Sequence, residues 1–232
     1  MITGARVAAL VPMRHESHRV KQKNYRDFNG RPLFHWIIRS LLECPSVDII
    51  GIDTDSPVVK AQALSMGNKI VVIDRPAGLL GDKVPMNDIL LHDIDQVPAE
   101  IYLQTHSTNP LLTSASIEKA LKTFTDAKEN FDSLFSVTRW QARFWDKDGH
   151  AVNHEPARLE RTQDLSPLYE ENSNIYIFSG DVLRQRKNRI GFKPVVFEIS
   201  RLEAVDIDEE EDFLLAEYLH KWQQARGRGN EK

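Results

Sequence analysis

Two short segments near opposite ends of the chain carry residues suited to chemistry on phosphates. Residues 11–24, VPMRHESHRVKQKN, set Arg14, Arg19, Lys21 and Lys23 in one polar stretch directly after an apolar run. Guanidinium and ammonium groups so placed can neutralise a polyphosphate, the arginines by planar bidentate contact. Residues 204–213, AVDIDEEEDF, bring Asp206 and Asp208 two positions apart with Ile207 between them. On extended backbone that spacing turns both carboxylates to one face and sends the isoleucine to the other, so the pair can converge on one hard cation. Magnesium suits such a pair, because it takes one or two carboxylates and completes its shell with phosphate oxygens and water. Each segment taken alone is also what a solvated charge run looks like.

The elements around these segments decide where they sit. The apolar run at 7–11 ends at Pro12 and reads as a strand buried on both faces. Pro32 opens a dense apolar helix at 33–42, and Pro45 stops it. Strands follow at 47–53, 69–73, 100–104 and 132–137, alternating with helices at 57–66, 86–95 and 114–128. This rhythm predicts a mostly parallel sheet with helices on both faces. Between about 138 and 172 it breaks into polar, aromatic sequence with an Asp148-Gly149 turn signal, read as an inserted arm. Strands at 174–178, 195–199 and 204–207, a short helix at 181–186 and a final helix at 209–224 complete the reading, with Glu209, Glu210, Glu211 and Asp212 as an acidic first turn. The charged tail 225–232 is expected to be disordered. The basic loop thus follows the first strand, and in open α/β sheets ligands collect at the carboxyl ends of strands.

Length and composition bound the function classes. A chain of 232 residues suits a single domain, 1–232, without disulfide or zinc staples. The net charge of −4 lacks the basic bias of a protein that coats nucleic acid. Cys44 is the only cysteine, which fits a reducing, cytoplasmic setting, and no apolar run approaches a membrane span. Neither a GxxxxGK[ST] loop nor a GxGxxG fingerprint occurs, which argues against P-loop kinases and dinucleotide oxidoreductases.

Put in order, the segments resemble the CMP-sugar-acid synthetases, the cytidylyltransferases that act on sialic acid, on bacterial nonulosonates and, more distantly, on the octulosonate of lipopolysaccharide. The family's opening loop, I-P-A-R-G-G-S-K-G-x-x-x-K-N, is matched by Val11-Pro12-Met13-Arg14, Ser17, Lys23 and Asn24. Phe28-Asn29-Gly30-Arg31-Pro32-Leu33 resembles the following helix entry, Asp53-Thr54-Asp55 the S-T-D strand end, and residues 75–82 the R-P-A-E-L-A-x-D segment. Leu103-Gln104, Arg161-Thr162-Gln163-Asp164-Leu165, residues 172–178 and Asp206-Ile207-Asp208 continue the series in the family's order over some two hundred residues.

The resemblance implies a three-layer α/β fold, a mostly parallel twisted sheet of the Rossmann-like nucleotidyltransferase type with an inserted dimerisation or substrate arm. It implies transfer of CMP from CTP to an acidic acceptor, a nonulosonic keto sugar acid, with release of pyrophosphate. Asp206 and Asp208 would hold Mg2+; Arg14, Ser17 and Lys23 would take the triphosphate, with Arg14, Lys23 and Asp208 as catalytic groups. Asn24 and Arg75 match positions near the nucleotide, and Gln104, Arg161, Gln163 and Asn172 match the acid-binding side. His106 is expected to act as a structural hydrogen-bonding residue. The arm's Trp140, Phe144 and Trp145 suit a homodimer interface.

The sequence also departs from the pattern. His15-Glu16 replaces paired glycines, His18 stands for lysine and Arg19 for glycine, so the grip on phosphate differs in detail. Residues 104–112 and 170–174 differ on the acid side, leaving a phosphonate acceptor, or a nucleotide-binding protein without turnover, as alternatives.

Overall fold

The computed structural model describes residues 5–81 and 83–229. Thus Asp82 of the 75–82 motif and the tail residues 230–232 lie outside the described residues.

Strand β1 (Ala5–Leu10) buries Val7 and Ala9 on one face and Ala8 and Leu10 on the other, as its unbroken apolar character requires. It sits inside a seven-stranded sheet with β4 (Ile49–Thr54), β5 (Ile70–Asp74), β6 (Ala99–Gln104), β7 (Ser133–Trp140), β8 (Leu168–Phe178) and β9 (Pro194–Glu198). The strand order is β5-β4-β1-β6-β8-β7-β9, with β2 (Asp27–Phe28) and β3 (Arg31–Pro32) forming a separate two-stranded hairpin. β8 pairs antiparallel with both β6 and β7; the other pairings in the large sheet are parallel.

Helices cover both faces. α1 (Leu33–Leu42), α2 (Pro57–Ala63) and α4 (Ser114–Ala127) pack on the face that receives Val7, Ala9 and Val11. α3 (Met86–Gln96) and α5 (Gly180–Arg186) pack on the face that receives Ala8 and Leu10. Residue chemistry sets the helix starts: Ser56, Thr113 and Ser179 each accept a backbone N–H through their hydroxyls, capping α2, α4 and α5. The chain runs outward from β1 through β4 to β5 and then returns to β6 on the other side of β1. The carboxyl ends of β1 and β6 therefore flank the point where the winding reverses, which is where such sheets open a crevice.

A third apolar cluster links the two chemical segments. Val20 of the basic loop, Ile207 of the acidic loop, Phe28 and Leu33 pack against Phe213 and Ala216 of α6 (Glu210–Gly229).

Three expectations change. Residues 204–207 form no strand; they run as turn and loop, held by an Ile207 N–H bond to the Thr108 carbonyl. The inserted arm is shorter than 138–172, because β7 continues to Trp140 and β8 starts at Leu168, pairing antiparallel along the stem. Ser136 accounts for the irregularity in that pairing: its hydroxyl donates to Asn172 Oδ1 at 2.6 Å and accepts the Ile175 N–H at 2.8 Å. Finally, the last helix runs on through Gly229, so residues 225–229 are helical where disorder was expected.

Candidate active site

The basic loop leaves β1 at its carboxyl end and is tied down by its own side chains. Asn24, buried, donates to the Arg14 carbonyl at 2.7 Å and accepts from the Ser107 hydroxyl at 2.6 Å, joining the loop to the segment after β6. His15, standing where glycine was expected, anchors the loop to the end of β4: its N–H donates to Asp55 at 2.6 Å and its Nδ1 lies 2.8 Å from the Ser56 hydroxyl. Its ring also stacks on Tyr25, with centroids 5.4 Å apart. The missing glycines are thus replaced by specific side-chain ties.

The acidic loop meets the basic one directly. Lys23 Nζ donates to the Ile207 carbonyl at 2.6 Å and lies 3.8 Å from Asp208 Oδ1, and Arg19 pairs with Asp208 at 2.6 Å. Ile207 is buried while Asp206 and Asp208 line the cleft, so the alternation expected of a strand survives on irregular backbone. Asp212 Oδ2 accepts the N–H groups of both Asp208 and Glu209, which fixes the acidic loop at the start of α6.

These residues border one cleft of about 440 Å3. Arg14, Ser17, Lys23, Asn24, Arg75, Asp206 and Asp208, all named from sequence, line it. Burial pulls the Lys23 ammonium below its ordinary range, against the attraction of Asp208 and Asp206. Burial likewise pushes the Asp206 carboxyl up, with Asp208 adding to the effect. Asp206 Oδ1 is buried with no hydrogen-bond partner among the described residues. An orphaned carboxylate oxygen next to a second carboxylate in a basic cleft fits a hard divalent cation.

Arg75 reaches the cleft on a buried support. Its Nε donates to Asp53, and both side chains are almost fully enclosed. Beneath them, burial, together with a hydrogen bond and repulsion from Asp53, pushes the Asp93 carboxyl well above the usual carboxylate range. Asp53, Asp93 and His92 lie close enough to suggest a second metal position. The Arg75 guanidinium already occupies Asp53, and burial beside Asp53 favours the neutral form of Asp93, so the trio is suited to holding an arginine more than a cation.

The acid-side residues divide. Gln104 is fully buried behind the cleft wall; its Oε1 accepts from Arg189 at 2.5 Å and its Nε2 donates to the Thr105 carbonyl and to His106 Nε2, each at 3.0 Å. Since His106 Nε2 accepts, the network assigns the ring proton to Nδ1. Burial and the nearby Arg189 and Lys23 cations push His106 down to about 3, so it is neutral. Arg161 and Gln163 do not border the cleft of their own chain: both are exposed on the arm, Arg161 bonded to Asp164 at 2.7 Å. Asn172 does not face the cleft either, because its amide is engaged by Ser136 and Thr138 inside the β7–β8 irregularity.

Among the cleft residues that escaped the sequence reading are two polar ones, Ser173, at φ 59°, and Arg189, on the loop after α5. In sequence Arg189 is one of several basic residues in RQRKNR, indistinguishable from a solvated run; the glycine two residues on, Gly191, was the available signal.

Comparison with known proteins agrees with this geometry. A family model described as cytidylyltransferase matches residues 8–226. The post-translational flagellin modification protein B of Campylobacter coli is 29% identical over 212 residues, covering 87% of this chain and 89% of that protein. Pseudaminic acid cytidylyltransferase of Campylobacter jejuni is 26% identical over 225 residues, covering 91% and 95%. N-acylneuraminate cytidylyltransferase A of Danio rerio is 27% identical over 219 residues, and this chain spans about half of its length. Among solved structures, CMP:2-keto-3-deoxy-manno-octonic acid synthetase complexed with CTP shares the fold, with a TM-score of 0.68 at 16% identity over 94% of this chain and 99% of that one.

Proposed function

The chain belongs to the cytidylyltransferase family, and from that premise we propose that it transfers CMP from CTP to a nonulosonic, sialic-acid-like keto sugar acid, releasing pyrophosphate. The observation that carries this reading is the contact of Lys23 with the Asp206-Ile207-Asp208 loop at the carboxyl ends of β1 and β6. It makes one site of a phosphate-binding loop and a carboxylate pair.

In the proposed reaction the anomeric hydroxyl of the acid attacks the α-phosphorus of CTP. A new P–O bond forms, the bond to the β-phosphate oxygen breaks, and the hydroxyl proton is lost. Arg14 and Lys23 neutralise charge on the triphosphate, Ser17 donates to a phosphate oxygen, and Arg75 addresses the nucleoside from its Asp53 support. Well-placed donors of this kind are worth about 3 kcal/mol each in the transition state. Asp206 and Asp208 would hold Mg2+, which supplies charge neutralisation and Lewis acidity when bound. His106, held neutral, acts here as a hydrogen-bond donor through Nδ1 and not as a proton carrier.

Homodimerisation is part of the proposal. Tyr169 and Val196 are about half exposed on the sheet surface of β7, β8 and β9, beside Phe135 and Val137, and Trp145 is exposed on the arm. Exposed aromatic and aliphatic side chains of this kind suit an interface core. A cytoplasmic setting fits the single, buried cysteine. Among the described residues no helix is long and apolar enough to cross a membrane.

The test is a screen of the purified protein with CTP, Mg2+ and a panel of nonulosonic acids and phosphonates, read by mass spectrometry of CMP products. A CMP-linked keto sugar acid is expected. Phosphonate products alone would replace the acceptor class, and folded protein that releases no pyrophosphate with any acceptor would overturn the reading.

A further inference from the structure

The cations of the cleft differ in what they face. Arg14, Arg19 and Lys23 gather with Asp206 and Asp208, and these charges act on one another. Arg189 lines the same cleft, and the His106 ring feels Arg189 and Lys23 together.

Arg189 differs from the cations around it. Arg19 and Lys23 have Asp208 within ion-pair distance and Arg75 has Asp53, but Arg189 has no carboxylate at that distance among the described residues. Its guanidinium bonds two neutral side chains, the Gln104 amide and the Tyr176 hydroxyl, and lies over the Tyr176 ring, 3.5 Å from the centroid. Glu171 is near enough to attract it, yet that carboxylate accepts the Tyr176 hydroxyl. A part-buried guanidinium that borders the cleft and is held by neutral groups, with no carboxylate at ion-pair distance among the described residues, is stabilised by an anion that reaches it from the cleft.

The loop that carries it is built to hold it still. Asp132 accepts the backbone N–H groups of Phe192 and Lys193 at 2.7 and 2.9 Å, and Ser133 accepts that of Gly191 at 2.8 Å. The backbone N–H of Arg189 itself donates to Asn87 at 3.1 Å. A Cβ on Gly191 would fall 2.3 Å from Asp132 Oδ1, so only glycine lets the carboxylate come this close. Arg189 is therefore presented on a fixed turn, stacked and bonded on its inner side and open toward the cleft.

We propose that Arg189 is the specificity-determining residue that binds the carboxylate of the acidic acceptor, in the cleft that His106 and Ser173 also line. This rests on the functional reading above and adds a residue to it. In the functional reading above Arg14, Lys23 and the carboxylate pair serve the triphosphate and the cation and Arg75 the nucleoside, which leaves Arg189 for the second anion of a two-substrate reaction. A planar fork opposite a carboxylate fixes the orientation of the acid as well as its affinity.

The experiment measures kinetics of the full chain with CTP and Mg2+, using N-acetylneuraminic acid and pseudaminic acid as acceptor probes. Arg189→Lys and Arg189→Met are compared with wild type, with melting temperature recorded for each. The acceptor KM is expected to rise roughly 10- to 100-fold in Arg189→Met, and less in Arg189→Lys, which keeps the charge and loses the fork. The CTP KM is expected to stay within about twofold. Gly191→Ala, which touches no substrate, is expected to raise the acceptor KM by displacing the loop. Wild-type turnover combined with an unchanged acceptor KM in both Arg189 variants overturns the inference alone, as does an equal rise in the CTP KM. Absence of CMP-acid formation by wild type overturns the functional reading and the inference with it.

Discussion

The ammonium of Lys23 donates a 2.6 Å hydrogen bond to the carbonyl of Ile207, 184 positions away, and feels the attraction of both Asp208 and Asp206. This contact turns two charge runs into one site. Ile207 is buried against Val20, so the same loop that presents two carboxylates to the cleft is clamped inward to the basic loop.

Removing the ammonium should disable the site more than it unfolds the protein. Lys23→Met is expected to lower kcat about 100-fold, the scale for loss of one aligned donor to a developing charge. Steady-state kinetics with circular dichroism on the same samples checks it; full activity in the variant would remove Lys23 from the reaction.

Ile207 is a structural pin and should behave as one. Replacing it by alanine opens a cavity beside Val20, Phe28 and Phe213, and should cost about 2–5 kcal/mol of stability. Urea denaturation measures this directly, and a loss below about 1 kcal/mol would show that the cluster does not hold the two loops together.

Asp93 predicts a specific pH dependence. Its carboxyl is raised in the folded chain, so between the ordinary carboxylate pKa of about 3.9 and its folded value the native state keeps a proton that the unfolded chain releases. Its stabilising contribution is complete below that window and declines as pH rises through it. Asp93→Asn keeps a donor for Asp53 without a titrating group, so its melting temperature should fall less than that of wild type from pH 5 to pH 8. Parallel curves for the two proteins would contradict the protonated Asp93.

His106 should not appear in the rate profile. With its ring held down to about 3, no ionisation near 6.5 is expected from it in kcat/KM, and His106→Gln should preserve the shape of the profile. A limb near pH 6.5 that vanishes in the variant would show that the ring titrates.

Much of this arrangement is legible in the sequence, for reasons specific to particular residues. The run 7–11 is apolar without interruption because β1 is covered on both faces, and Pro32 marks the entry to α1 because its fixed φ suits that position. The order of short motifs located seven cleft residues that charge alone would not have separated from solvated loops. Other parts are not legible because they depend on contacts distant in sequence. Residues 204–207 have a strand's alternation, but the Ile207 N–H bonds Thr108 in a loop and no sheet edge receives them. Asn172 looks like a polar residue at a strand end, yet its amide completes the irregular pairing with Ser136 and Thr138. Arg189 reads as one more basic residue until Asp132, from the start of β7, is seen gripping its loop.

The most direct measurement of the central claim is CMP-product formation by wild type and Asp208→Ala, followed by mass spectrometry across a Mg2+ titration. The account predicts a CMP-linked keto sugar acid from wild type that depends on Mg2+, and loss of that product in a variant that remains folded. Undiminished, Mg2+-dependent product from Asp208→Ala would contradict it, because the carboxylate pair would then have no part in the reaction.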